Sequence, residues 1–167
     1  MENDSAQFNI EKAAKEMLRR PLGSDFLIFS EEPEKILQLS KIVAVDLSKK
    51  SESGAQWAHF IFDCKTNILT DVQGISIEIK TNDDEFTLKK VAAQIAGKAP
   101  CVLAILHFDS IHEDVKKNKW NQGFVQAMKG NEANNDKLLH PDSTIIAGFS
   151  GDGKIAGNLF SISFELI

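Results

Sequence analysis

The chain is poor in arginine: only two of its 19 basic residues, Arg19 and Arg20, are arginines, and the others are lysines. Arginine is the preferred side chain for bidentate contacts with phosphate and guanine, so its scarcity speaks against a dedicated nucleic-acid-binding protein. The formal net charge of -5 agrees with this conclusion, because a phosphate backbone is bound by basic surfaces.

Long hydrophobic runs are also missing. The longest, Ala99 to Leu106, has the length of a strand and is far shorter than the roughly 18 residues of a membrane span. The first five residues have no basic start followed by an apolar core, as a secretory signal would have. The two cysteines, Cys64 and Cys101, each lie in an apolar run, which favours buried and reduced thiols. We therefore expect a cytoplasmic protein with no membrane partner.

What is present indicates a single folded domain over residues 1–167. With 43% apolar and 26% charged residues, the chain is too hydrophobic and its charges are too well mixed for intrinsic disorder. A chain of 167 residues also buries enough surface to fold without disulfides or metals.

The hydrophobic pattern predicts an α+β fold: a mainly antiparallel sheet of about six to seven strands, packed against two or three helices. Helices are predicted from a cap at Asp4 or Ser5 to Pro21, over Glu34–Ser40, after Asn82 to Gly97, and from Ser110 to Met128. Strands are predicted over Phe26–Phe29, Lys41–Leu47, Gln56–Cys64, Gly74–Thr81, Cys101–Phe108, Thr144–Phe149 and Leu159–Leu166.

The segment Gly148 to Lys154 has the spacing of a phosphate-binding loop, G-x-x-x-x-G-K. Such a loop also needs a Ser or Thr after the lysine and a helix behind it. Here Ile155 takes the hydroxyl position and the following residues alternate as in a strand, so a glycine-rich hairpin turn is the better interpretation. The histidines and cysteines do not show the spacing of a zinc site, and no serine lies in a G-x-S-x-G motif.

Asp63 is followed after fourteen residues by Glu78-Ile79-Lys80. Glu78 and Lys80 share one face of their predicted strand, so a hairpin could bring Asp63 towards both. This pattern resembles the PD-(D/E)XK nucleases, which place an Asp on one strand and Glu-x-Lys on the next. The resemblance implies that Asp63 and Glu78 hold Mg²⁺ and that Lys80 assists the attacking water. Glu11 and Glu16 on the first helix, and Gln94 after the motif, also look like parts of that fold.

The same residues have a plainer interpretation, since a Glu-x-Lys pair keeps the solvated face of a sheet edge soluble. Directly after the motif, Asp83, Asp84 and Glu85 add three more acids, which would repel a phosphate backbone. On this interpretation the chain has no catalytic residue, no metal site and no cofactor, and Mg²⁺ belongs only to the nuclease hypothesis.

A small acidic protein without an evident active site suits the binding of a basic protein partner, because dispersed carboxylates accelerate and orient such an encounter. The acids Asp83, Asp84 and Glu85, together with Glu31 and Glu32, are the candidate contacts. In size, acidity and fold class the chain resembles bacterial immunity proteins, including those of contact-dependent growth inhibition systems. That resemblance implies a non-enzymatic inhibitor of a cognate toxin domain, often a cationic nuclease.

Overall fold

The computed structural model describes residues 7–50, 57–71, 73–80, 87–95, 100–110, 139–150, 160 and 162–167. Its helices are α1 (Ile10–Leu18), α2 (Pro33–Lys50) and α3 (Thr87–Ile95). Its strands are β1 (Gln7–Phe8), β2 (Phe26–Phe29), β3 (Ala58–Asp63), β4 (Ile68–Asp71), β5 (Ser76–Glu78), β6 (Cys101–Leu106), β7 (Thr144–Phe149) and β8 (Ser163–Leu166). In the described part of the chain, no helix has both the length and the hydrophobicity needed to cross a bilayer.

The described strands form one mixed sheet of eight strands in the order β1-β8-β2-β7-β6-β3-β4-β5. The predicted α+β class is confirmed, but the predicted mainly antiparallel sheet of six to seven strands is wrong. Five neighbouring pairs are parallel, and only the β3-β4 and β4-β5 pairs are antiparallel. Long crossovers such as α2, which joins β2 to β3, are what allow strands to lie parallel.

Helices cover both faces of the sheet, and each face has its own hydrophobic core. Strand β6 is buried along its whole length. Its Leu103 and Ile105 belong to the core beneath α3, whereas Val102 and Leu106 belong to the core beneath α1 and α2. This alternation is the normal consequence of side chains pointing to opposite faces of a strand, and a strand covered on both sides is typical of parallel sheets.

The segment Lys41–Leu47 is helical, so the strand predicted there is wrong. It is the second half of α2, which runs without interruption from Pro33 to Lys50. The buried residues of α2 are Ile36, Leu39, Ser40, Val43 and Ala44, at the three- and four-residue spacing of one helix face. Burial of this face of α2 against the sheet stabilises the helix and outweighs the strand preference of the β-branched residues in the segment.

Several other predicted elements are confirmed. Strands β2 and β7 have the predicted bounds, and β3 lies within Gln56–Cys64. Helix α1 starts later than predicted, because Asn9 caps it by accepting a 2.8 Å hydrogen bond from the Lys12 N–H. The predicted helix from Ser110 to Met128 lies almost wholly outside the described residues.

Candidate functional site

The carboxyl ends of β2, β7, β6 and β3 meet at one edge of the sheet, because these four neighbouring strands are parallel. The residues just beyond these ends surround a cleft of about 160 Å³, which we call the carboxyl-end cleft. The polar residues that line it are Ser30, Glu31, Lys65, His107, Asp109 and Ser150. Ligands of open parallel sheets commonly bind at this edge, so the cleft is the first candidate site.

A short turn after β6 brings Asp109 to the end of β7. Phe108 is fully buried in this turn and packs against Phe149 and Phe160, with ring centroids 6.4 and 5.8 Å apart. The Ser150 hydroxyl donates to the Asp109 carboxylate at 3.3 Å, and the Ser150 N–H donates to it at 3.4 Å. The loops that follow β6 and β7 are therefore tied together at the cleft.

His107 has an unusual backbone conformation, with φ of +55°. Positive φ is uncommon outside glycine, although histidine adopts it more readily than most residues. Residues held in this region tend to cluster at binding and catalytic sites. His107 lies at the cleft directly beyond the end of β6, where a glycine would fit the backbone more easily.

Helix α2 begins at the cleft and packs closely on β7. A Cβ added at Gly148 would lie 3.1 Å from Cγ1 of Ile36, so the glycine allows this close approach. Ser30 starts the turn into α2 by accepting a 3.1 Å hydrogen bond from the Glu32 N–H. Glu31 is exposed at the rim of the cleft, and Glu32 makes a 2.8 Å ion pair with Lys35.

Asp63 ends β3 and Glu78 ends β5, two strands that are not adjacent, and Lys80 lies two residues beyond β5. The sequence predicts that the strand of Asp63 is followed directly by that of Glu78, but β4 lies between them, so this arrangement is wrong. Asp63 pairs with Ile68, and Ile68 pairs with Glu78. The two carboxylate-bearing residues therefore share one face but are two strand spacings apart, roughly 9–10 Å.

The surroundings of the motif residues are those of a sheet edge. Asp63 Oδ1 accepts a 2.8 Å hydrogen bond from the Lys65 N–H, which closes the turn after β3. Glu78 and Lys80 are exposed, and the Lys80 carbonyl accepts a hydrogen bond from Lys90 Nζ at 2.9 Å. Among the residues that the structure describes, no three His, Cys, Asp or Glu side chains are grouped so as to hold a metal ion.

The other residues assigned to the nuclease resemblance lie on separate helices. Glu16 of α1 is in ion pairs with Arg19 and Arg20, at 2.6 and 3.6 Å. Gln94 is exposed on α3, which packs against the opposite face of the sheet from α1. The two helices therefore place Glu16 and Gln94 on opposite faces of the sheet.

Five acids follow the carboxyl-end edge of the sheet from β2 to β5, and we call this set the acidic edge. It consists of Glu31, Glu32, Asp63, Glu78 and Asp109. The first two precede α2, and the others lie on or directly after β3, β5 and β6. The predicted contacts Asp83, Asp84 and Glu85 lie outside the described residues.

His59, Cys64 and Cys101 are buried in the core, and both cysteines are reduced thiols. His59 Nε2 lies 2.8 Å from the Ser40 hydroxyl of α2, and burial, aided by the charge of Lys41, lowers the pKa of His59. Burial also raises the pKa of the Cys64 thiol strongly, and the nearby charges of Asp63 and Asp109 add to this. Cys64 is therefore a poor nucleophile, because the thiolate is the reactive form.

Sequence reasoning missed Lys65, His107, Asp109 and Ser150 as candidate site residues. Each of these polar residues follows a short apolar segment within a few residues, and this pattern was the sequence signal for a residue at the end of a strand. This signal becomes informative only when the strands are recognised as parallel, because only then do their ends lie at the same edge.

Comparison with known proteins gives no further indication of function. No protein family model matches this chain, and no curated protein is detectably related to it in sequence.

Proposed function

We propose that this chain is a non-enzymatic binding protein that neutralises a basic protein partner, in the manner of an immunity protein acting on a cationic toxin domain. The acidic edge is the single observation that carries the proposal. Its five acids extend across five strand spacings, roughly 24 Å, which is comparable to the width of a protein interface.

The charge of the edge is only partly neutralised. Glu32 pairs with Lys35, and Lys65 lies beside the cleft, but among the described residues neither Glu31 nor Glu78 is in an ion pair. Carboxylates arranged in this way attract a basic surface over a Debye length and orient it before contact. The result is fast, salt-sensitive association with a partner rich in lysine and arginine.

Strand β5 adds a hydrophobic surface beside the acids. It is the last strand of the described sheet, and all three of its residues are exposed. Ile75 and Ile77, on or next to this strand, are 59% and 42% exposed. An edge strand with exposed apolar side chains supports β-strand addition by a partner, so we assign β5 to the rim of the same interface.

The proposal predicts that a cationic toxin domain is encoded beside the gene of this protein, and this domain is the binding partner to test. We expect calorimetry to give a 1:1 complex whose affinity falls at least tenfold between 50 and 300 mM salt. Reversing the charge at Glu31, Asp109 and Glu78 to lysine should weaken the complex at least a hundredfold, since these acids face the partner. Cytochrome c serves as a basic protein that should bind only weakly.

The matched control reverses three acids that lie towards the opposite end of the strands, Glu16 near the end of α1, Asp46 in the second half of α2 and Asp142 before β7, and it should retain full affinity. Equal losses in the two variants would show that net charge alone, and not the acidic edge, determines binding. The absence of a toxin gene beside this one, or a toxin domain that neither binds nor is inhibited, would contradict the proposal.

A second proposal, a Mg²⁺-dependent nuclease using Asp63, Glu78 and Lys80, is favoured by one observation. Asp63 and Glu78 lie in a single cross-strand row on the same face of the sheet. Cleavage of DNA by the purified protein with Mg²⁺, abolished by Glu78→Gln and by Lys80→Ala but not by Glu34→Gln, would establish it. We expect no cleavage, because Ile68 separates the two carboxylates.

A further inference from the structure

A second and larger cavity lies at the opposite edge of the sheet. It has a volume of about 680 Å³, and we call it the amino-end groove because it opens where β2, β3, β6 and β7 begin. The loop after α1 and the last turns of α2 form its walls. Its apolar lining includes Met17, Leu22, Phe26, Val43, Leu47 and Trp57.

The floor of the groove is the core itself. Phe26 and Val43 are each 1% exposed, and Trp57 is 9% exposed. Leu22, in the loop above them, is 58% exposed. A large apolar side chain left in water beside a cavity is unfavourable, and burying it against an apolar occupant recovers that free energy.

Among the described residues, Arg20, Lys50 and His140 are the basic residues that line the same groove, and Asp142 is the acid. Arg20 lies 3.6 Å from Glu16, and its side chain is 43% exposed. Lys50 is exposed in the last turn of α2 and is in no ion pair with another described residue. Among the described lining residues, two cations, Arg20 and Lys50, therefore face one acid, in a chain whose formal net charge is -5.

The hydrogen bonding of His140 adds a donor to this set. Its Nδ1 accepts a 3.0 Å hydrogen bond from the backbone N–H of Asp142. Because Nδ1 is an acceptor, the neutral ring carries its proton on Nε2 and can donate it. The lining of the groove thus combines apolar side chains with three hydrogen-bond donors, Arg20, Lys50 and His140.

We propose that the amino-end groove binds a small amphiphile that has an apolar chain and a single anionic head group, of the long-chain carboxylate class. The chain lies against the accessible apolar side chains Leu18, Leu22 and Leu47, above the buried floor, and the head group meets Arg20 and Lys50. The volume falls within the roughly 300–1,000 Å³ of small-molecule sites. The proposal does not depend on the function assigned to the acidic edge.

Trp57 provides a direct readout, because it lines the groove. In a Trp120→Phe background, Trp57 is the only tryptophan of the chain. Titration with laurate below its micellar concentration should change the Trp57 emission saturably, with a Kd in the micromolar range. Octanoate should bind more weakly, by up to roughly fourfold for each methylene removed, which corresponds to the transfer free energy of one CH₂. Calorimetry on the unsubstituted protein checks the same affinities.

The chain offers a matched pair of variants for the head group. Arg20→Gln with Lys50→Gln should weaken laurate binding about tenfold or more, since both side chains line the groove. Arg19→Gln with Lys49→Gln removes the same charge from the adjacent positions outside the lining and should change the affinity less than twofold. Dodecyltrimethylammonium, which has a similar chain and the opposite charge, should not bind.

Three results would overturn the proposal. These are no saturable laurate binding below 1 mM, equal effects of the two double variants, or equal affinity for the cationic amphiphile. A control with phosphatidylglycerol vesicles distinguishes the binding of a free anionic amphiphile from binding to a membrane surface that has the same charge. If the protein sediments with these vesicles but does not bind laurate, the groove is not a site for a single amphiphile and the proposal is wrong.

Discussion

Gly23 and Gly74 have nearly the same backbone conformation in different surroundings. Their φ angles are +85° and +87°. A Cβ at Gly23 would lie 2.6 Å from the carbonyl oxygen of Pro141, whereas a Cβ at Gly74 would meet nothing within 4 Å. The first position therefore combines backbone strain with a collision against backbone, and the second has strain alone.

We expect Gly23→Ala to lower the free energy of unfolding by about 2–4 kcal/mol, because the loop must move away from Pro141. Gly74→Ala is the control and should cost only about 1 kcal/mol, the strain of an alanine at positive φ. Urea denaturation of both variants gives the comparison. Equal losses would mean that the contact with Pro141 is absent in solution.

His59 should make the stability of the protein depend on pH. Burial lowers its pKa in the folded state, whereas in the unfolded chain it is close to 6.5. Between these two values the unfolded state binds more protons, so stability should fall as the pH drops below about 6.5 and level off below the folded-state pKa. Above that pH this group should contribute no slope.

The measurement is the urea midpoint between pH 4.5 and 8. Carboxylates also titrate at the acidic end of this range, so the decisive comparison is with His59→Asn. This variant should lose the part of the slope that begins just below pH 6.5, whatever its overall stability. An unchanged slope would assign the pH dependence to other groups.

At the scale of the secondary structure elements, the fit of α2 against β7 depends on Gly148. Gly148→Val places two more methyl groups where the first added carbon already lies 3.1 Å from Ile36. We expect a loss of about 1–3 kcal/mol, the usual cost of overpacking a core. In an Ile36→Ala background the added valine should cost at least 1 kcal/mol less, which a double-mutant cycle measures. Additive losses would show that the two residues do not touch.

Part of the fold was predictable from local sequence. The apolar runs of β2, β6 and β7 predict strands with nearly the observed bounds, since such runs have few alternatives. The parallel arrangement was not predicted, although a strand without alternation, such as β6, is typical of a parallel sheet that is buried on both faces. The segment Lys41–Leu47 was not predictable in this way, since its β-branched residues favour a strand and only the core beneath α2 requires a helix.

The candidate site was less predictable than the fold. Strand β4 has only four residues and lies between turns at Asn67 and Gly74, both with positive φ, so its pattern is too short to recognise. Because β4 is not predicted, the sequence pattern places Asp63 and Glu78 on adjacent strands. The carboxyl-end cleft depends on strand order, which no local pattern encodes.

At the scale of the whole molecule, protection of backbone amides should follow the sheet order. Strands β6 and β7 lie near the middle and are fully buried, whereas β5 is exposed at one edge. We expect amides of β6 and β7 to exchange hydrogen only through global unfolding, and those of β5 to exchange at least a hundredfold faster. Hydrogen exchange read by mass spectrometry tests this. Equal protection of β5 would indicate that another chain covers its edge.

The direction of α2 has an electrostatic consequence. It starts beside Glu31 and Glu32 at one end of the strands and finishes with Lys49 and Lys50 at the other. Arg19 and Arg20, which follow α1, also lie towards this second end. Among the described residues, these ionised side chains thus contribute a dipole moment directed along the strands. In the field of a positively charged body such a dipole experiences a torque, which turns the carboxylates forward before the surfaces meet.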